Sequence, residues 1–260
     1  MSKLKIIGTI KRSFDLLKKD PTLIVLFILP AIFSLLSPRI IAYLSSLVFS
    51  MIMWDGPELA PLVPALILLI TSFVIGFFFK VWASAGAILK VTELEKGHKL
   101  GLKEALSKGL KKVPKLLVPA IISLAISVLT IASLATVYTD YPLSLLLMGP
   151  SVIVLRVAVG CLFIVGLYLV VRLRLYAPAC VLESNFGLKT SWKLVKGSWW
   201  RLFAIVLIFF AMSGLISQAW VIGPFLSDVI VGPFSVTAMT LVYFHLKEAE
   251  SSGEERKKSL

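Results

Sequence analysis

Apolar and polar positions alternate along the chain in long blocks. Six blocks hold about twenty mostly apolar residues each, the length that crosses a bilayer as a helix. They fall at about Thr22–Ile41, Pro61–Lys80, Leu116–Val137, Pro150–Arg172, Leu202–Val221 and Pro224–Phe244. The first has a basic front, but its apolar part is long and contains Pro30. No small-x-small cleavage pattern follows it, so it reads as a retained span rather than a signal peptide.

Each odd-numbered span is preceded by a shorter stretch with a different period. Ile7, Ile10, Phe14 and Leu17 form one set, Leu102, Leu106, Leu110 and Val113 a second, and Leu188, Trp192, Val195 and Trp199 a third. Steps of three and four place each set on one stripe of a helix. Ile10, Lys11, Ser13 and Phe14 align with Leu102, Lys103, Ala105 and Leu106, and these with Leu188, Lys189, Ser191 and Trp192. Gly101-Leu102-Lys103 recurs as Gly187-Leu188-Lys189. The pattern predicts an all-α, polytopic membrane protein with six transmembrane helices and three basic amphipathic helices on the cytoplasmic face. It also predicts a threefold internal repeat with units 1–95, 96–183 and 184–246, followed by a polar tail over 247–260. The stripes can face lipid or the returning helices. The segments after Lys80 and Arg172 are too apolar for exposed loops, and Ala83, Ser84, Ala85, Gly86 and Ala87 would permit close packing.

Composition agrees with this reading. Of 260 residues, 58% are apolar and 16% charged, and mean hydropathy is +0.94. Ordinary soluble domains carry roughly 45–50% apolar and about 25% charged residues. A disordered chain, a coiled coil and an ordinary soluble enzyme are excluded. The net charge of +13 would point to nucleic acid in a soluble protein. Here 24 of the 27 Lys and Arg residues lie in four blocks, at 1–21, 90–115, 172–201 and after Phe244. The loops at 42–60, 138–149 and 222–223 contain none. The positive-inside rule then predicts a multi-pass protein of the cell membrane with both termini cytoplasmic. Anionic lipid headgroups, not nucleic acid, are the expected partners. Lys11, Lys103 and Lys189, equivalent in the three units, are the candidate headgroup contacts. A membrane-protein partner or a homo-oligomer is left open.

The segment RLRLYAPACVLESNFGLKTSWKLVKGSWWRLFAIVLI carries a more specific pattern. A basic helix end and Pro178 lead to Glu183. A Gly187 turn, a Ser191-Trp192 helix, Lys196-Gly197 and an aromatic-basic approach to the next span follow. This pattern resembles a broad group of uncharacterised prokaryotic six-span integral membrane proteins. That group is similar to the membrane domain found ahead of some glycerophosphodiester phosphodiesterases. The resemblance implies a membrane module and transfers no catalytic residue, because only the polar tail follows the last span.

No P-loop, dinucleotide GxGxxG, HExxH or GxSxG motif is present. No enzyme activity and no cofactor are expected. Glu93, Glu95 and His98 read as solvated charges at a helix end. Cys161 reads as an inert small residue, and the spacing of Cys161 and Cys180 fits no zinc site. Three basic residues stand outside the four blocks. Arg39 and Lys80 sit at span ends, where long side chains snorkel. Arg156 lies inside the fourth span if that span starts at Pro150, and at the outer headgroups if it starts later. An intramembrane charge calls for a partner. Asp228, at a similar depth in the sixth span, is the candidate for an intramembrane ion pair with Arg156.

Three classes of function compete. A non-enzymatic membrane module that interacts with lipids or supports other membrane proteins fits best. A transporter or channel for a small solute or lipid is the alternative, and an intramembrane enzyme lacks a motif. The topology has a direct test by cysteine accessibility in a cysteine-free background. Asp55→Cys is expected to label only from outside the cell and Ser252→Cys only from inside; the reverse pattern would invert the arrangement.

Overall fold

The computed structural model describes residues 6–36, 43, 46, 62–138, 150–183, 187–219 and 222–258. Apart from Tyr43, Ser46 and Tyr138, the loops expected at 42–60 and 138–149 lie outside the described residues, as do Arg39 and the side chain of Arg156. All regular structure among the described residues is helical. In chain order the helices are α1 (Ile6–Lys19), α2 (Thr22–Val25), α3 (28–36), α4 (Leu62–Glu95), α5 (Leu102–Tyr138) and α6 (Pro150–Leu173). They continue as α7 (Tyr176–Leu182), α8 (Gly187–Val195), α9 (Trp199–Ser217) and α10 (Gly223–Lys258). Among the described residues five helices are long and apolar enough to cross a membrane, or six if α1 and Thr22–Leu36 form one bent span. That is the make-up of a polytopic membrane protein.

The chain divides into two compact units. Among the described residues, unit 1 lies within Pro114–Val206 and Tyr243–Leu260, and unit 2 within Lys5–Val113 and Leu207–Val242. In unit 2, α1 meets the Thr22–Leu36 segment at 91°. The corner is Asp20-Pro21. Proline restricts the residue before it and has no N–H to continue the α1 ladder, while the Asp20 carboxylate accepts from the Thr22 backbone N–H at 3.1 Å.

Small residues bring α4 and α5 into backbone contact, as their composition predicts. Ala85 and Ala87 are fully buried. A Cβ on Gly109 would lie 2.9 Å from the Gly86 nitrogen and 3.1 Å from its Cα. Gly86 in turn faces the Ala105 carbonyl. Close approach of this kind replaces the hydrophobic drive that lipid does not supply. Trp82 locks the crossing by donating its indole N–H to the Leu106 carbonyl at 2.8 Å. The turn between the two helices uses Gly97 at φ 84°, a left-handed conformation that costs glycine little. In unit 1 the same economy recurs between α7 and α8, where a Cβ on Gly187 would lie 2.5 Å from the Cys180 nitrogen.

One boundary differs from those read in the sequence, and the polar tail takes up helix. Residues 102–113 and the third span form the single helix α5, with Pro114 and Pro119 inside it. Proline is tolerated within membrane helices because neighbouring groups satisfy the freed carbonyls. The segment expected as a polar tail is helical to Lys258. Its Lys247 and Glu250 form ion pairs with Glu183 and Lys193, at 2.7 and 2.5 Å. These anchors favour helix in a stretch already rich in Glu, Ala and Lys.

Gly109→Ala is expected to lower the thermal midpoint in detergent, with a cost of about 1–3 kcal/mol for overpacking. Gly160→Ala, where no atom lies within 4 Å of the new Cβ, provides the control and should leave the midpoint unchanged or slightly raised.

Candidate functional site

Lys11, Lys103 and Lys189 share one local pattern of exposure. Lys11 on α1, Lys103 on α5 and Lys189 on α8 are exposed, and Ser13, Ala105 and Ser191, two positions on, are each 0% exposed. Lys11 and Lys103 belong to unit 2 and Lys189 to unit 1.

Asp228 is held by Lys80 and Ser34. Its Oδ1 lies 2.9 Å from Lys80 Nζ, and its Oδ2 accepts from the Ser34 hydroxyl. The pairing with Arg156 concerns a side chain outside the described residues. The distribution of basic blocks puts Lys80 at the inner end of its span and Asp228 on the outer side, whereas their side chains meet. The cause lies in α4, whose apolar run continues past Lys80 to Glu95. A lysine matched by a carboxylate does not end a span. Ser213 and Ser227 hydrogen-bond to each other at 2.7 Å in the same unit.

The corner at Asp20 contains a second matched charge. Lys90, with a side chain only 3% exposed, lies 2.9 Å from Asp20 Oδ2 and donates to the Leu100 carbonyl at 2.6 Å. The ammonium thus ties the start of the first span to the end of α4 and the α4–α5 turn. Losing one partner of a buried pair of this kind typically costs about 3–5 kcal/mol. By sequence Lys90 is just one more charge in a basic block. Its position five residues before the end of a long apolar helix is the only signal of burial.

Unit 1 is knotted by Glu183, at the end of α7. Its carboxylate accepts from Thr190 of α8 at 2.8 Å and from Tyr243 and Lys247 of α10, both at 2.7 Å. Burial pushes the carboxyl pKa up, but the hydrogen bonds from Lys247, Tyr243 and Thr190 outweigh it and hold it below the ordinary value of 4.5.

Arg172, near the end of α6, lies beside this knot in the chain and is 8% exposed. Its guanidinium stacks against Trp192 and Tyr168, with centroid distances of 4.6 and 5.1 Å. Nη1 donates to the Trp192 carbonyl at 2.8 Å, and the Arg172 carbonyl accepts from the Ser191 hydroxyl at 2.7 Å. Arg172 Nε is buried with no hydrogen-bond partner among the described residues. Arg172 lines a cavity of about 680 Å³ together with Tyr168, Lys196, Trp199, Trp200 and Arg201. The rest of the wall is the Gly197-Ser198 turn that leads into α9. The sequence marks these residues as a basic block with tryptophans. It does not show that a residue from the preceding span folds back among them.

Among the described residues no group of three or more His, Cys, Asp or Glu side chains is placed to hold a metal ion. Cys161 is exposed and Cys180 buried, both as free thiols. Comparison with protein-family models, with curated proteins and with solved structures gives no match.

Because the folded Glu183 carboxyl titrates below its unfolded value of 4.5, its contribution to stability is complete above that value. It is lost as pH falls through the folded pKa. Glu183→Gln is expected to lower stability at neutral pH by about 1–3 kcal/mol. Thermal melts recorded from neutral pH down to about pH 3 should show the difference from wild type shrinking at the acid end.

Proposed function

We propose that the chain is a non-enzymatic, multi-pass membrane module whose basic cytoplasmic face engages anionic lipids or supports other membrane proteins. One observation carries the reading: 24 of 27 basic residues lie in four blocks beside the apolar spans. Cytoplasmic loops of membrane proteins collect Lys and Arg in this way, and such clusters attract anionic headgroups.

In this reading three basic amphipathic stretches, one per repeat unit, lie on one face of the membrane. The shared pattern of exposed Lys11, Lys103 and Lys189 with buried Ser13, Ala105 and Ser191 supports a threefold repeat over 1–95, 96–183 and 184–246. It also supports assigning the three lysines to headgroups. The resemblance carried by residues 172–208 agrees with a membrane module lacking its own catalytic site.

A transport reading has one observation in its favour. Lys80, Asp228 and Ser34 form a charged cluster between apolar helices, and intramembrane charges mark solute and proton routes.

Each basic residue near an anionic surface contributes about 1 kcal/mol, decaying within a Debye length. The triple variant Lys11→Gln, Lys103→Gln, Lys189→Gln is expected to retain less acidic lipid than wild type through purification, with the larger difference at low salt. Equal retention at low salt contradicts the lipid reading. Solute flux in proteoliposomes that depends on Asp228 would favour transport instead.

A further inference from the structure

We propose that the cavity in unit 1 between Arg172 and the start of α9 is a binding site for a phosphate group, borne by an anionic lipid headgroup. The inference rests on the lipid-facing reading above and gives it a particular site.

Three cations, Arg172, Lys196 and Arg201, line this cavity, and no acidic side chain does. Neither Lys196 nor Arg201 has an ion-pair partner among the described residues. Like charges gathered against apolar walls repel one another strongly, so the site favours an anion. Arg172 sharpens the requirement. It is 8% exposed, and its Nε finds no acceptor among the described residues. An unsatisfied buried N–H of a charged group costs more than a neutral one. Its guanidinium is held by the Trp192 carbonyl and by two aromatic faces. It is therefore fixed in orientation before any ligand arrives.

The fourth contribution comes from the backbone. The cavity wall includes the turn at Gly197 and Ser198 and the first residues of α9, a helix of 19 residues. The first N–H groups of a helix have no intrahelical acceptor and favour anions. A fixed guanidinium, two flexible cations and a helix start together match the several oxygens of a phosphate better than the two of a carboxylate.

The surroundings indicate which molecules bring the phosphate. Trp200 is 75% exposed, and Trp199 stacks on Phe203 with ring centroids 5.2 Å apart. Indoles gather at the level of lipid headgroups. A volume of about 680 Å³ lies within the range of small-ligand sites, about 300–1,000 Å³. A headgroup thus fits, with its acyl chains along the apolar surface of α9. A soluble phosphate would satisfy the same polar groups but leave the tryptophan surface uncovered.

The test uses the full chain in detergent and native mass spectrometry, titrated with dioleoylphosphatidylglycerol and separately with dioleoylphosphatidylcholine. Wild type is expected to hold one phosphatidylglycerol molecule more tightly than the rest and to prefer it over phosphatidylcholine. The double variant Lys196→Gln, Arg201→Gln, with an unchanged melting temperature, should bind that molecule at least about tenfold more weakly, the equivalent of losing one charge-assisted hydrogen bond. Arg172→Lys keeps the charge without the fork and should also weaken it. Inorganic phosphate supplies the second arm. Failure of millimolar phosphate to displace the lipid supports a headgroup site. Displacement supports a phosphate site whose natural ligand is soluble. Equal affinity for the two lipids, or wild-type binding by the double variant, overturns the inference. The Lys11, Lys103, Lys189 triple variant separates this result from the general reading. It should lose bulk acidic lipid and keep the single tight molecule; a tight molecule lost from the double variant alone leaves the site standing without the surface lysines.

Discussion

A charge that enters an apolar helix must be matched, and much of this structure follows from that cost. Burying an ion without compensation is prohibitive, so each buried charge draws two or more elements toward it. Lys90 is satisfied by Asp20 and the Leu100 carbonyl, which fixes the corner of the first span against α4. Asp228, the more buried member of its pair, is satisfied by the half-exposed Lys80, which sets α4 and α10 at one register. Glu183 gathers α7, α8 and α10 around one carboxylate. Arg172 departs from the pattern, since part of its guanidinium is left without an acceptor.

Packing and charge divide the work. Within hydrocarbon, burial of apolar area gives little preference for one helix partner over another. Close contact is instead supplied by Gly86, Ala105 and Gly109, where absent side chains let backbones meet. Larger residues then fill what remains. Phe234 packs edge-on to Phe209 at 5.2 Å and to Phe14 at 6.4 Å within unit 2. Small residues set the distance between helices, and ion pairs set their register.

The helical, membrane-spanning character was legible in the sequence because a span announces itself by length and hydropathy alone. The returning helices that outrun the bilayer were legible too, since VWASAGAIL could not be an exposed loop. The continuity of α5 was not, because the amphipathic period over 102–113 and the apolar run from Leu116 read as two elements, which one helix joins through Pro114 and Pro119. The pairings were the least legible. A lysine in a basic block looks the same whether it is solvated, as Lys11 is, or buried, as Lys90 is. Partner choice depends on depth in neighbouring helices, which a single sequence locates only to within a few residues. That uncertainty put Lys80 and Asp228 on opposite sides when they touch. The cavity in unit 1 was hidden for a related reason, since it joins Arg172 to a turn more than twenty residues later.

The turn at Gly97 has a bearing on how the chain assembles. It joins α4 to α5 through residues 96–101 alone, and the contact of Gly86 with Gly109 closes a loop of little more than twenty residues. The entropy lost on closing a loop rises with its length, and contacts near in sequence form early. Asp20 and Lys90, by contrast, must find each other across seventy residues. The α4–α5 hairpin is thus able to close as soon as both helices have left the ribosome, before α10 has been synthesised. It offers the carboxylates of Asp20 and Asp228 a finished surface on which to dock.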